Sequence, residues 1–339
     1  MMVWSKSLEG SIPKKRLTKI FIQVLLSFTV VVGLITLAGC NASSNLTSNS
    51  TTQTHKLRVM ATTTIVGDIV SQIGGDAIQL TVLLPVGTDP HTFDPTPQDM
   101  SILSESDILF ANGAGLESFL DRIIANVGET GSTGKATVVS LSQGIHLRQF
   151  QVQPEQTNNH NHEQGNDPHI WFDPNNVKIW AQTIQQNLSN LDPTHAETYL
   201  SNANAYLAQL DDLDAWITDQ VSQIPKPNRK IVSDHQVLGY FADRYGFEIV
   251  GAVIPSFSSA SQPSAKDLAS LEDSIRNLNV PAIFVGINAN PNLAERVASD
   301  TGVKVVPIYT GSLSAPGGPA DSYLAFIRAD VSAISKTLK

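Results

Sequence analysis

The chain has 339 residues, a formal net charge of −9 and one cysteine. Five basic residues and one glutamate put +4 on the first nineteen positions, so the remainder carries about −13. That acidic balance argues against nucleic acid as a partner and is compatible with attracting cations. A single cysteine leaves no disulfide framework, so the rest of the chain depends on its own apolar core, most plausibly in two domains.

Residues 1–39 read as an export signal. Lys14, Lys15, Arg16 and Lys19 form a basic flank, an apolar stretch runs from Ile20 to Leu37, and Leu37-Ala38-Gly39-Cys40 closes it with small residues. The apolar run is near the roughly 20 residues that span a bilayer, so a transmembrane anchor is the competing reading. The closing box resembles that of bacterial lipoproteins. The resemblance implies that Cys40 is lipidated and becomes the mature first residue, anchoring the protein outside the cytoplasm at the cell membrane. More than one acyl chain gives stable anchoring, which a single chain does not. Residues 40–56 are rich in Ser, Thr and Asn and read as a flexible tether.

Beyond the tether, short β-branched runs alternate with helical patterns. Leu57–Thr63, Gln79–Pro85, Asp107–Asn112 and Ala136–Leu141 are expected strands, with helices over Ile65–Ile73, Pro97–Ser104 and Leu116–Val127. The pattern resumes with strands over Lys230–Ser233, Glu248–Ile254, Ala282–Ile287 and Lys304–Tyr309, and helices over Leu238–Tyr245, Ala265–Leu278, Leu293–Thr301 and Asp321–Leu338. Such alternation is the signature of βαβ units and a parallel sheet. Between the halves, Pro193 to Ile224 holds no glycine and no internal proline. Tyr199, Tyr206, Leu210, Leu213, Ile217, Val221 and Ile224 recur there at helical spacing. Thirty-odd helical residues would reach about 45 Å. The expected fold is therefore α/β: a lobe over 57–191 and another over 226–339, each a parallel sheet flanked by helices, joined by one long rigid helix over 192–225.

Two segments are nearly the same: Asp89-Pro90-His91-Thr92-Phe93-Asp94-Pro95 and Asp167-Pro168-His169-Ile170-Trp171-Phe172-Asp173-Pro174. Proline fixes its own φ and pushes the preceding residue to an extended conformation. Each histidine thus sits in a stiff loop with carboxylates near its ring, which is what a metal site needs. His235 follows the first strand of the second half. Ligands in parallel α/β sheets bind in the crevice outside the carboxyl ends of strands, so His91, His169 and His235 are the candidate metal-binding residues. His55 lies in the tether, His146 in a loop and His195 in the first turn after Pro193. His160 and His162 form a polar loop that reads as solvated, or as an auxiliary metal-capture segment.

These motifs resemble the zinc/manganese solute-binding proteins of ABC importers. Gly87–Pro97 is similar to their first ligand loop, Asp167–Pro174 to their second, and His235 with Gly239-Tyr240-Phe241 to their third. The terminal Tyr309-Thr310-Gly311-Ser312-Leu313-Ser314 also fits. The resemblance implies one divalent transition-metal ion held between two lobes. It further implies delivery of that ion to an integral-membrane permease powered by a cytoplasmic ATPase, by a monomeric protein. Gly311 stands where the family often has a carboxylate, and Gly286 where a glutamate is frequent. Asp321 or water is then the candidate for the remaining position, although an acid at the start of a helix also serves the dipole.

Three imidazoles favour zinc over manganese, which prefers oxygen-rich shells. A manganese binder of the same family is the alternative. A mononuclear zinc hydrolase, with Asp234 as the only obvious base, or a surface adhesin are the rival classes. The sequence holds no His-Glu-x-x-His helix, so the expectation is a binding protein and not an enzyme.

Overall fold

The computed structural model describes residues 56–120, 136–149 and 165–339. The expected export signal, Cys40, the tether, His55, His160, His162 and most of the expected helix 116–127 lie outside the described residues.

In chain order the elements are β1 (Leu57–Ala61), α1 (Thr64–Gly74), β2 (Ile78–Val82), α2 (Pro97–Glu105), β3 (Ile108–Ala111), β4 (Thr137–Ser140), α3 (Pro174–Leu191) and α4 (Ala196–Ser222). There follow β5 (Lys230–His235), α5 (Gly239–Tyr245), β6 (Glu248–Ile254), α6 (Ala265–Leu278), β7 (Ala282–Gly286), α7 (Asn292–Thr301), β8 (Lys304–Ile308) and α8 (Tyr323–Leu338). They build two four-stranded parallel sheets, ordered β2-β1-β3-β4 and β6-β5-β7-β8. One order is used twice. In each sheet the chain turns outward from the first strand and then crosses back past it, leaving a crevice at the carboxyl ends of the central strands.

Side chains alternate faces along a strand, and here the two faces feed different cores. From the first sheet, Val59, Ala61, Ile108 and Phe110 enter a central core, while Met60, Leu109 and Ala111 enter an outer one with Leu83 and Phe119. From the second sheet, Ile231, Phe284 and Ile308 join the same central core, while Val232, Ile283 and Val285 pack under α6 and α7. Helices α1, α3, α4, α5 and α8, with connecting segments such as Ile170–Phe172, supply the rest of the central core. The two lobes therefore share one apolar interior.

The long helix α4 has 27 residues, about 40 Å. It is shorter than expected because Pro193–His195 forms a 3-10 turn before it. Its stripe of Tyr199, Tyr206, Leu210, Leu213, Ile217 and Val221 is buried in the central core, so it is a packed member of both lobes as well as a connector. Lys178 of α3 pairs with Asp211, and one turn on, Asp214 accepts Arg244 Nη2 and the Tyr245 hydroxyl of α5, each at 2.7 Å. Helix α3 has no counterpart among the expected elements. Asp173 caps it by accepting the Asn175 N–H, Pro174 occupies its first turn, and Val177, Trp180, Ala181, Ile184 and Leu188 face inward.

Leu213→Ala is expected to cost about 2–5 kcal/mol, the usual range for a buried leucine. Because that core belongs to both lobes, chemical denaturation followed by tryptophan fluorescence and far-UV dichroism should remain one coincident transition. Separate lobe transitions would contradict a shared interior.

Candidate metal centre

His91 lies in the loop after β2, His169 just before a 3-10 turn at Ile170–Phe172 that leads into α3, and His235 at the last position of β5. Asp89 Oδ1 accepts the His91 backbone N–H at 3.0 Å, and Asp167 Oδ1 accepts that of His169 at 3.0 Å. The two Asp-Pro-His segments thus close the same short turn, with the carboxylate gripping the backbone two residues on. Asp234 Oδ1 accepts the His235 N–H at 2.7 Å.

Two of these carboxylates also hold the rings. Asp167 Oδ1 is 2.9 Å from His169 Nδ1, and Asp234 Oδ1 is 2.9 Å from His235 Nδ1. A carboxylate can only accept, so Nδ1 carries the proton and the Nε2 lone pair is left free. All three Nε2 atoms then face one another: His91 to His169 at 3.1 Å, and His169 to His235 at 3.3 Å. Four donors about 2.0–2.1 Å from a tetrahedral ion would stand roughly 3.3–3.4 Å apart. Free lone pairs at this spacing repel unless a cation sits among them. His91, His169 and His235 form the one cluster of potential ligands that converges within 4.8 Å among the described residues.

The surroundings are largely enclosed. His169 and His235 are buried and Trp171 packs edge-on against His169, its Nε1–H donating to the Thr310 carbonyl at 3.0 Å. Burial, with the charges of the neighbouring histidines, holds His91 well below the ordinary histidine range. Burial also lowers His169, against the opposing pull of Asp167. The space beside the rings is about 20 Å³, room for one water-sized occupant. A larger cavity of about 220 Å³ lies beneath α6 in the second lobe, and none of the three histidines lines it.

The other residues raised by the sequence fall elsewhere. Asp321 is exposed and its carboxylate accepts the Gly317 N–H at 2.9 Å. His146 is exposed, and His195 bonds Asp192 at the α3–α4 turn. Asp234 is no free base, because its second oxygen accepts the Gly286 N–H at 2.8 Å. A side chain at Gly286 would press Thr310 Oγ1 at 2.7 Å, and one at Gly311 would press Pro90 Cδ at 2.7 Å. Gly311 therefore lets the last loop close against the loop of His91. The hold of the Gly286 N–H on Asp234, and the tie of Trp171 to Thr310, are long-range facts that the sequence motifs did not carry.

The sequence matches the family described as zinc-uptake complex component A, periplasmic, over residues 59–337. It is 31% identical over 310 residues to the manganese-binding lipoprotein MntA of Halalkalibacterium halodurans, covering 91% of this chain and 96% of that protein. It is 30% identical over 293 residues to the manganese ABC transporter substrate-binding lipoprotein PsaA of Streptococcus pneumoniae, covering 85% and 91%. Among solved structures, the periplasmic zinc binding protein TroA of Treponema pallidum superposes with a TM-score of 0.74 at 25% identity, covering 84% of this chain and 99% of that one.

Unfolded histidine titrates near pH 6.5, whereas His91 and His169 in the folded protein hold protons only at lower pH. Below about 6.5 the unfolded chain binds more protons, so stability is lost as the pH is lowered. The thermal midpoint of the metal-free protein should accordingly decline from pH 7 to 5. The decline should be smaller in a His91→Asn/His169→Asn double variant, as read by scanning calorimetry.

Proposed function

Since the chain belongs to the family of the periplasmic component A of zinc-uptake complexes, we propose that His91, His169 and His235 capture one zinc ion as cargo. The protein is the extracytoplasmic substrate-binding lipoprotein of a metal ABC importer, and it is not an enzyme. Its partners are the metal ion and the importer's permease and ATPase. We further propose that it works as a monomer tethered through lipid on Cys40.

The convergence of three Nε2 atoms carries this reading. Two of the rings are fixed by carboxylates before any ion arrives, so binding needs little reorganisation. Nitrogen donors suit zinc, and no carboxylate joins the cluster among the described residues. Manganese is the second reading, favoured by the names of the curated relatives. The base that the rival hydrolase would use, Asp234, has both oxygens engaged.

Isothermal titration of tag-free protein should show one zinc ion per chain, bound more tightly than manganese. Replacing all three histidines by alanine should abolish binding. Tighter manganese binding would favour the second reading, and stoichiometric high-affinity binding by the triple variant would exclude these residues.

The shared core and the glycine-free α4 leave few places for a hinge. Small-angle scattering of metal-free and zinc-loaded protein should therefore give nearly superimposable curves, with ordering confined to the histidine loops. A compaction of the size produced by wide lobe closure would refute that rigidity.

A further inference from the structure

We infer that Arg148 is the positioning residue through which the second lobe fixes the direction of the His169 imidazole. The inference rests on the metal-binding reading of the three histidines.

Asp167, which holds the His169 ring, is fully buried. Its Oδ1 serves His169, and its Oδ2 receives Arg148 Nη1 at 3.0 Å. The same guanidinium donates through Nε to Asp243 Oδ2 of α5 at 2.6 Å. One planar cation thus joins the carboxylate behind His169 to a helix of the second lobe. A guanidinium presents its donors in a rigid fork, so the bond to Asp243 fixes the direction from which the same group meets Asp167.

The main chain closes the arrangement. The Arg148 N–H donates to the Tyr240 hydroxyl at 3.1 Å, that hydroxyl donates to the Asp167 carbonyl at 3.0 Å, and the Asp167 N–H donates to the Arg148 carbonyl at 2.8 Å. Tyr240, also on α5, therefore locks together two residues 19 apart in sequence.

Gly239 supplies an independent sign that this contact is built. A Cβ there would overlap the Arg148 guanidinium and stand 2.7 Å from Asp167 Oδ2. Its φ is not among the positive ones, so the glycine answers to space and not to backbone conformation. Among the described residues no such cation stands behind His235, where Asp234 is held instead by the Gly286 N–H within its own sheet. Of the two carboxylate-held histidines, it is His169 that the described residues tie to the opposite lobe.

The test uses the full-length chain in detergent, with Arg148→Ala, Arg148→Lys and Asp243→Asn, and Arg276→Ala on the outer face of α6 as a control. Zinc affinity is read by chelator competition, ligand geometry by the visible spectrum of the cobalt-loaded protein, and folding by the thermal midpoint of the metal-free protein. Loss of a group that orients a metal-bound histidine typically costs tenfold to a hundredfold in affinity. Arg148→Ala should lose about that much and shift the cobalt bands, with a metal-free midpoint close to that of the control. Arg148→Lys should recover part of the loss, and Asp243→Asn should reproduce part of it. Affinity within twofold of wild type and unchanged cobalt bands in Arg148→Ala would overturn the inference. So would an affinity loss matched by a lowered midpoint with unchanged bands at saturation. An inert Asp243→Asn would overturn the role given to the second lobe. Wild-type protein that binds neither ion would instead remove the metal-binding reading itself.

Discussion

Three imidazole Nε2 atoms converging on one spot, 3.1 and 3.3 Å apart, with the lone pairs of His169 and His235 both left bare, are an arrangement that side chains do not adopt unaided. Each ring would relieve the repulsion by turning away. What prevents this is a set of restraints one bond further out: carboxylates on two Nδ1 atoms, carboxylates that accept the backbone N–H of all three histidines, and Trp171 packed against His169. The cost of holding the lone pairs together is met when the protein folds, and a cation entering the site relieves it. Pre-organisation of this kind explains why the surrounding residues are as specific as the histidines themselves.

Those restraints need a frame that does not breathe, and the duplicated sheet order supplies it. Each sheet delivers a loop or strand end to the crevice at its carboxyl edge. The central core then fixes the two edges relative to each other, because residues from both sheets and from α4 lie in one apolar mass. Polar ties cross at the same level. Gly87 donates to Ser312 Oγ at 2.8 Å, Ser259 donates to Asp89 Oδ2, and Tyr323 donates to the Trp171 carbonyl at 2.8 Å. Opening the lobes would expose core and break these bonds together. Metal exchange is then more economically a matter of loosening one loop than of swinging one lobe.

Much of this was legible in the sequence because the signals are local. The paired Asp-Pro-His segments announce stiff loops through proline, and alternating β-branched runs announce strands of a buried parallel sheet. The α4 stripe shows itself by its spacing. Helix α3 was missed although Val177, Trp180, Ala181, Ile184 and Leu188 keep helical spacing, since asparagine and glutamine between them dilute the apolar signal. The shared core could not be read, because periodicity tells which face of α4 is buried and not what covers it. Arg148 and Gly239 lie 91 positions apart and carry no motif that links them; only folding brings them together. The roles of Gly286 and Gly311 likewise depend on Thr310 and Pro90 standing where a side chain would go.

Charge balance follows from the same geometry. Three neutral imidazoles leave the two positive charges of a divalent cargo uncompensated among its direct donors. Asp167 and Asp234 each lie one hydrogen bond and one ring behind a donor nitrogen, so an ion at the centre would stand about 6–7 Å from each carboxylate. At an effective dielectric near 20 that is worth roughly 5 kcal/mol apiece for a doubly charged ion. Arg148 offsets part of the Asp167 contribution while leaving that of Asp234 intact. The attraction is thus real but held at arm's length, transmitted through polarised imidazoles instead of direct oxygen contact. A cargo carrier is served by that compromise. On the proposed assignment, direct carboxylate donors would deepen binding and slow release, whereas imidazoles backed by buried acids would hold the cargo without a charged donor in contact.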